Sequence, residues 1–217
     1  HFQAGAEIRK LSQVETIGFG RYCRETKGFG VYGEKPENVS TWGTYIDSLV
    51  HEGKLDLLLQ KGFIDQNNLA VLERIVASVK NLDPNPRLAH GEVTIGNMLA
   101  DGNELSAIVD AETALSGPWP HTDLVPVIYY SEVLDVYNLG HRGADLAIAF
   151  IDGQGVSKED YKRKYQSDTE ALVVLDALGH AAWYHHHFLN DQSFSDASRN
   201  AHARLIMNVQ KYVKARL

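Results

Sequence analysis

The stretch that most constrains this 217-residue chain runs from Arg87 to Thr113, "RLAHGEVTIGNMLADGNELSAIVDAET". Two short apolar runs, "NMLA" and "LSAIVD", flank the turn "DGN", a pattern that predicts a β-hairpin. In an antiparallel pair the start of one strand lies beside the end of the other. Asn97 and Asp110 are therefore expected to be neighbours in space. An amide oxygen and a carboxylate converging there make a partial site for Mg²⁺, which takes few protein ligands and completes its shell with water and phosphate oxygens. Glu92, in the two-glycine loop just before, would face the same spot and could act on a hydroxyl as a general base. Taken singly, each of the three could also be a solvated turn residue.

The rest of the chain reads as mostly helical. "AGAEIRKLSQVE" has apolar positions at helical spacing, and the Gly-rich segment from Ile17 to Val39 reads as irregular. Ser40 is the expected cap of a helix through "TWGTYIDSLVHEGKLDLLLQKG", and Asp65 the cap of the next, "QNNLAVLERIVASVKNL". "DPNP" then breaks the chain, and "RLAH" is a short strand candidate. After "SGPWP", the segments "TDLVPVIYYSEVLDVY", "GADLAIAFIDG" and "SKEDYKRKYQSDTEALVVLDALGHAAWYHHHFL" read as helices, the last opened by a Ser157-x-x-Asp160 capping pattern. "DASRNAHARLIMNVQKYVKARL" closes the chain with a basic turn suited to a helix C-terminus. The expectation is one α+β, mostly helical domain over 1–217, with a small central β-hairpin region at 87–112 and a helical subdomain at 121–217.

Composition excludes several classes. A formal charge of −7 argues against broad nucleic-acid binding, which needs a basic stripe. No apolar run approaches the roughly 18 residues of a membrane span. The single cysteine, Cys23, cannot form an internal disulfide and has no His/Asn partner pattern of a thiol nucleophile, so a reducing, cytoplasmic setting is expected. "GFGVYG" (Gly28–Gly33) formally matches a phosphate-binding fingerprint, but no strand precedes it and no helix follows, so it reads as a flexible loop. The histidines of "GHAAWYHHHFLND" point in different directions around a helix. Even with His180, His187 and Asp191 on one face, a partly exposed helix end is the plainer reading than zinc. Tyr129, Tyr130 and Trp183 read as core, and Asp135, Asp152, Glu159 and Asp160 as a solvated face.

The motif "HGE-VTIG-N … IVD-AE" resembles that of the kinase-like small-molecule phosphotransferases, among them the aminoglycoside and hygromycin phosphotransferases and choline-kinase relatives. Their usual form is H-G-D-x-x-x-x-N, followed by an apolar strand ending in Asp-x-Glu or Asp-x-Asp. "SGPWPHTDLV" is similar to the family's G-[DE]-P-x-x-x-D-L segment and "GFGRY…STWGTYIDSL" to the region ahead of it, so the resemblance covers nearly the whole chain. It implies a protein-kinase-like C-terminal lobe that moves the γ-phosphoryl of ATP or GTP to a small-molecule hydroxyl. It places Glu92 as the base, Asn97 and Asp110 as Mg²⁺ ligands, His90 as a brace of the loop and Asp123 as a brace from the following helix. In this family the helical subdomain forms the acceptor site, where an acidic lining would suit a cationic acceptor such as an aminosugar or alkylamine.

Two departures carry consequences. Glu stands where the family has Asp, moving the carboxylate outward by about 1 Å or more, an error that can cost on the order of 10²-fold in rate. The family's N-terminal lobe, with its phosphate-covering loop and lysine strand, has no counterpart, and the chain opens without an initiator methionine, as a fragment or cloning start would. The isolated chain is therefore expected to be inactive or nearly so. A degenerate kinase fold kept as a small-molecule-binding or interaction module is the alternative; an unrelated helical scaffold requires the motif to be accidental.

Overall fold

The structure is a computed structural model and describes residues 1–31, 37–50, 52–82, 85–134, 142–184 and 195–217. The chain opens with α1 (Phe2–Leu11), then β1 (Gly20–Cys23), β2 (Gly28–Val31) and β3 (Glu37–Asn38). Helices α2 (Trp42–Leu49), α3 (Glu52–Gln60) and α4 (Leu69–Val79) lead to β4 (Pro86–Ala89), the hairpin β5 (Met98–Asp101) and β6 (Glu104–Ile108), and β7 (Leu115–Pro118). The remainder is α5 (His121–Ile128), α6 (Arg142–Gly153), α7 (Lys158–Lys164), α8 (Gln166–Tyr184) and α9 (Asp196–Lys214).

The segment read as irregular carries β1, β2 and β3. With β7 and β4 they form a five-stranded sheet in the order β3-β2-β1-β7-β4, every pair antiparallel. These strands are two to four residues long, and "GRYC" and "GFGV" contain almost nothing β-branched. The pairing of β1 with β2 and of β2 with β3 is close in sequence but too short and glycine-rich for local propensity to register, and β1 meets β7 only across most of the chain. Gly28 and Gly30 of "GFGVYG" serve this sheet. A Cβ on Gly30 would sit 1.8 Å from the Glu37 carbonyl oxygen, so glycine is what lets β3 close on β2. Gly28–Val31 is strand, not flexible loop, and Gly33 lies outside the described residues.

The helix expected from residue 41 divides into α2 and α3, and its cap is Thr41, whose Oγ1 accepts from Thr44 N, rather than Ser40. Asp65 does cap the start of the next helical segment, accepting from Asn67 N and Asn68 N. Ser157 caps α7, and a break at Tyr165 separates α7 from α8. The Trp42 indole N–H donates to the Val79 carbonyl at 2.8 Å and so ties α2 to the end of α4.

Helix α8 is buried on most of its circumference: Leu172, Val173, Val174, Leu175, Ala177, Leu178, Ala181 and Ala182 are all core. It packs on α5, α9, α4 and α3 and is the axle of the helical half. Helix α1 crosses α6 so closely that a Cβ on Gly5 would lie 2.0 Å from the Phe150 carbonyl oxygen, and one on Gly153 2.0 Å from that of Phe2. A side chain at either position would push the two helices apart. Trp183 is 47% exposed, so it is surface rather than core. Among the described residues no helix is long and apolar enough to cross a membrane.

Candidate active site

The hairpin brings two of the expected residues together through its register. Met98 pairs with Ile108, and one step further Val109 N donates to the Asn97 carbonyl at 2.9 Å. Asn97 closes a 3-10 turn (Ile95–Asn97) and β5 begins at the next residue. Asp110 follows directly on the other strand. Its backbone is left-handed (φ 66°, ψ 54°) and swings the chain into the 3-10 turn Ala111–Thr113. Such a backbone costs about 1–2 kcal/mol for most residues and is adopted more readily by Asp and Asn.

The loop carrying Glu92 is held against that turn. Gly91 has φ +84°, and a Cβ there would meet the Thr113 carbonyl oxygen at 1.9 Å. Only glycine meets both conditions. The contact draws residues 90–92 to the segment just beyond Asp110. The Asn97 side chain adds a tie: its Nδ2 donates to the Glu92 carbonyl at 3.0 Å. That use of the amide nitrogen leaves Oδ1 as the atom available to a cation. Among the described residues no three His, Cys, Asp or Glu side chains converge, so a divalent ion here would rest on the Asn97 amide oxygen and the exposed Asp110 carboxylate. Both are hard oxygen donors, and such a pair, completed by water and phosphate, fits Mg²⁺.

His90 sits at the end of β4, 3% exposed. Burial lowers its imidazole below the ordinary range, against the pull of the Val109 backbone and of the Glu92 and Asp110 charges. Neither ring nitrogen makes a well-formed hydrogen bond, so the nearby Val109 backbone is its polar neighbour rather than a firm partner. Asp123, in the first turn of α5, is 1% exposed. Its Oδ2 accepts from Gln154 Nε2 on α6 at 2.9 Å, while Oδ1 is buried without a partner. Its hydrogen bond therefore runs to α6, not to the loop at 90–92. Burial pushes the Asp123 carboxyl up to about 7, with the Gln154 hydrogen bond and Arg9 pulling the other way.

Residues that the sequence reading passed over gather around Glu92. The Tyr130 hydroxyl donates to Glu92 Oε1 at 2.9 Å, so Tyr130 is a polar participant and not only core. It lies on a π-helical turn (Tyr129–Val133) continuing α5, closed by Leu134 N on the Tyr129 carbonyl. Such turns recur at functional sites because the extra residue re-aims a side chain. Buried Tyr129 stacks on His180 with centroids 4.6 Å apart, and His180 Nδ1 lies 3.2 Å from Asp176 Oδ2. Burial pushes Asp176 up, yet His180 and Arg21 together bring its carboxyl below the ordinary range. Burial lowers Arg21, but its neighbours Tyr45, Asp176, Tyr130 and Glu92 hold its proton more tightly on balance. The in-helix proline Pro126 is a sequence mark near Tyr130, but by itself it does not separate a polar participant from a core residue. His187, Asp191 and Asp135 lie outside the described residues. Asp160 is engaged by Arg163 and Lys164 of its own helix, and Asp152 and Glu159 are exposed.

The glycine loop is thus closed on the turn that follows a strand-end aspartate, and an asparagine ties that loop to the hairpin. A model of the phosphotransferase enzyme family (APH) matches residues 4–172, and the chain belongs to that family. Among solved structures it is similar to a thermostable mutant of aminoglycoside phosphotransferase APH(4)-Ia in its apo form, with 16% identity and a TM-score of 0.53 over 97% of this chain and 64% of that one. The same mutant background in ternary complex with AMP-PNP and hygromycin B gives 16% identity and a TM-score of 0.54 over 96% of this chain and 63% of that one. At this identity the likeness is one of fold, and the chain spans 64% of the length of the first of these relatives. No curated protein sequence matches the chain.

Proposed function

We propose that this chain is the C-terminal, catalytic lobe of a phosphotransferase that moves the γ-phosphoryl group of ATP or GTP to a hydroxyl of a small molecule. The observation that carries the reading is the assembly at one end of the hairpin: Asn97 bonded to Glu92, Asp110 one step past the ladder, and Gly91 closed on Thr113. Phosphoryl transfer needs mainly positioning and charge neutralisation, and these residues supply both.

In this reading the acceptor hydroxyl gives its proton to the Glu92 carboxylate as its oxygen bonds the γ-phosphorus. The bond from that phosphorus to the bridging oxygen breaks, and the nucleoside diphosphate leaves with the electron pair. Asn97 Oδ1 and Asp110 would hold Mg²⁺, which when bound neutralises phosphate charge. His90 fills the space beneath the loop, and Asp123 fixes α5 on α6. Around Glu92 the Arg21 guanidinium stands against the Glu92 and Asp176 carboxylates, a balance that leaves the site net negative and suits a cationic hydroxyl acceptor. The rest of the nucleotide cleft would come from an N-terminal lobe, so the 217-residue lobe alone should transfer little. The lone, buried, free Cys23 suits the cytoplasm.

The test uses the full-length protein from the parent gene, with MgATP or MgGTP, hygromycin B and simple polyols as acceptors, and release of phosphate to water as the background. Asp110→Ala and Glu92→Gln are each expected to lower transfer by at least about 10²-fold, as loss of a positioned charge does. Undiminished transfer in either variant would remove that residue from the mechanism. Nucleotide binding without transfer in any form would leave the binding-module reading standing instead.

A further inference from the structure

We propose that Tyr130 is a positioning residue that makes a glutamate workable at position 92, by holding one carboxylate oxygen so that the other is presented to the acceptor. The inference rests on the reading of Glu92 as the base. A glutamate side chain has one more rotatable bond than an aspartate, and its carboxylate sweeps a correspondingly larger space. Left free, it would spend most of its time away from the productive position, and a misplacement of about 1 Å can cost on the order of 10²-fold. The structure removes that freedom at both ends. Asn97 Nδ2 fixes the Glu92 main chain, and the Tyr130 hydroxyl fixes Oε1 at 2.9 Å. Oε2 is then the oxygen left for a proton.

The tyrosine is itself firmly held. Its ring meets Tyr129 edge-on, centroids 5.4 Å apart at 83°. Tyr129 is fully buried and stacked on His180 of α8, whose ring is held by Asp176 one turn back on the same helix. The π turn sets the direction, since its closure by Leu134 on Tyr129 adds one residue per turn exactly where the side chain must face the loop. Burial, with the neighbouring Glu92 charge and their hydrogen bond, raises the phenol far above its ordinary value, so it stays a neutral donor throughout the working pH range. An aspartate at 92 would fall short of this hydroxyl by about the length of one carbon–carbon bond, roughly 1.5 Å.

The experiment is a double-mutant cycle in the full-length protein, comparing wild type, Tyr130→Phe, Glu92→Gln and the pair, with folding checked by circular dichroism and MgATP binding. Expected for Tyr130→Phe is a drop in kcat of roughly tenfold with KM for the nucleotide unchanged. In the Glu92→Gln background the tyrosine substitution should cost nothing further, and Glu92→Asp should lose activity rather than gain it. Equal losses in both backgrounds, or a Tyr130→Phe enzyme within twofold of wild type, would overturn the proposal while leaving Glu92 as base. A fully active Glu92→Gln enzyme, or a wild type without transfer, would instead overturn the reading of Glu92, and this inference with it.

Discussion

Replacing Asp123 by Asn should make the protein more stable, and increasingly so as pH rises. The Asp123 carboxyl is 1% exposed, and burial raises it from its ordinary 3.8 to about 7. A carboxyl whose native value lies above its unfolded value binds its proton more tightly in the folded state. Its contribution is most favourable at low pH and is lost as pH climbs through the native value. The gap of about 3 units corresponds to about 4 kcal/mol of destabilisation once pH exceeds 7, at about 1.4 kcal/mol per unit. Asparagine has no charge to desolvate. It keeps an acceptor for Gln154 Nε2, and its own N–H has a candidate acceptor in Gln154 Oε1, which is buried without a partner. Urea unfolding of both proteins at pH 5, 6.5 and 8 should show the advantage of Asn growing by about 2–3 kcal/mol across that range. An advantage that stays constant with pH would show that Asp123 is not buried as an uncompensated acid.

Two residues earlier, His121 should behave with the opposite sign. Its Nδ1 lies 2.8 Å from Thr169 Oγ1, a hydroxyl that itself donates to the Tyr165 carbonyl, so the ring donates here as a neutral imidazole. Burial lowers it to about 4, and stability present above the unfolded value is lost as pH falls toward 4. Relative to wild type, His121→Asn should therefore improve by about 2–3 kcal/mol between pH 7 and pH 4.5 in the same urea series, and parallel curves would count against it. At the loop, Gly91→Ala has to relieve a 1.9 Å approach to Thr113 and a φ of +84°. It should lose at least about 2 kcal/mol and, with Glu92 displaced by about 1 Å, roughly 10²-fold in turnover. A variant within 0.5 kcal/mol of wild type, measured by urea midpoint, would mean that the loop does not bear on Thr113.

Much of the candidate site lies within one supersecondary unit, which explains why it can be read from sequence. Apolar runs about a "DGN" turn define a hairpin, hairpin register places Asn97 against Val109 and hence beside Asp110, and Gly91 sits where a short loop must fold back. The long amphipathic helices and the caps at Asp65 and Ser157 follow from equally local signals. The five-stranded sheet does not. Its strands are short and glycine-rich, and β1 finds β7 only because the whole lobe closes between them. The breaks between α2 and α3, both of which touch α8, and between α7 and α8 are likewise concealed by continuous apolar periodicity.

Tyr130 shows the division most clearly. In sequence it is one of two adjacent tyrosines in an apolar run, 38 residues from Glu92, and nothing local separates it from a core residue. The π turn, the ring stack running from Tyr129 to His180, and the approach of β1 with Arg21 decide that its hydroxyl meets the carboxylate. The chain by itself determined its family, its hairpin and the donors at the hairpin's end, because those depend on contacts between near neighbours in sequence. What surrounds Glu92, and whether its extra methylene can be used, depended on elements distant in sequence packing about one point in space.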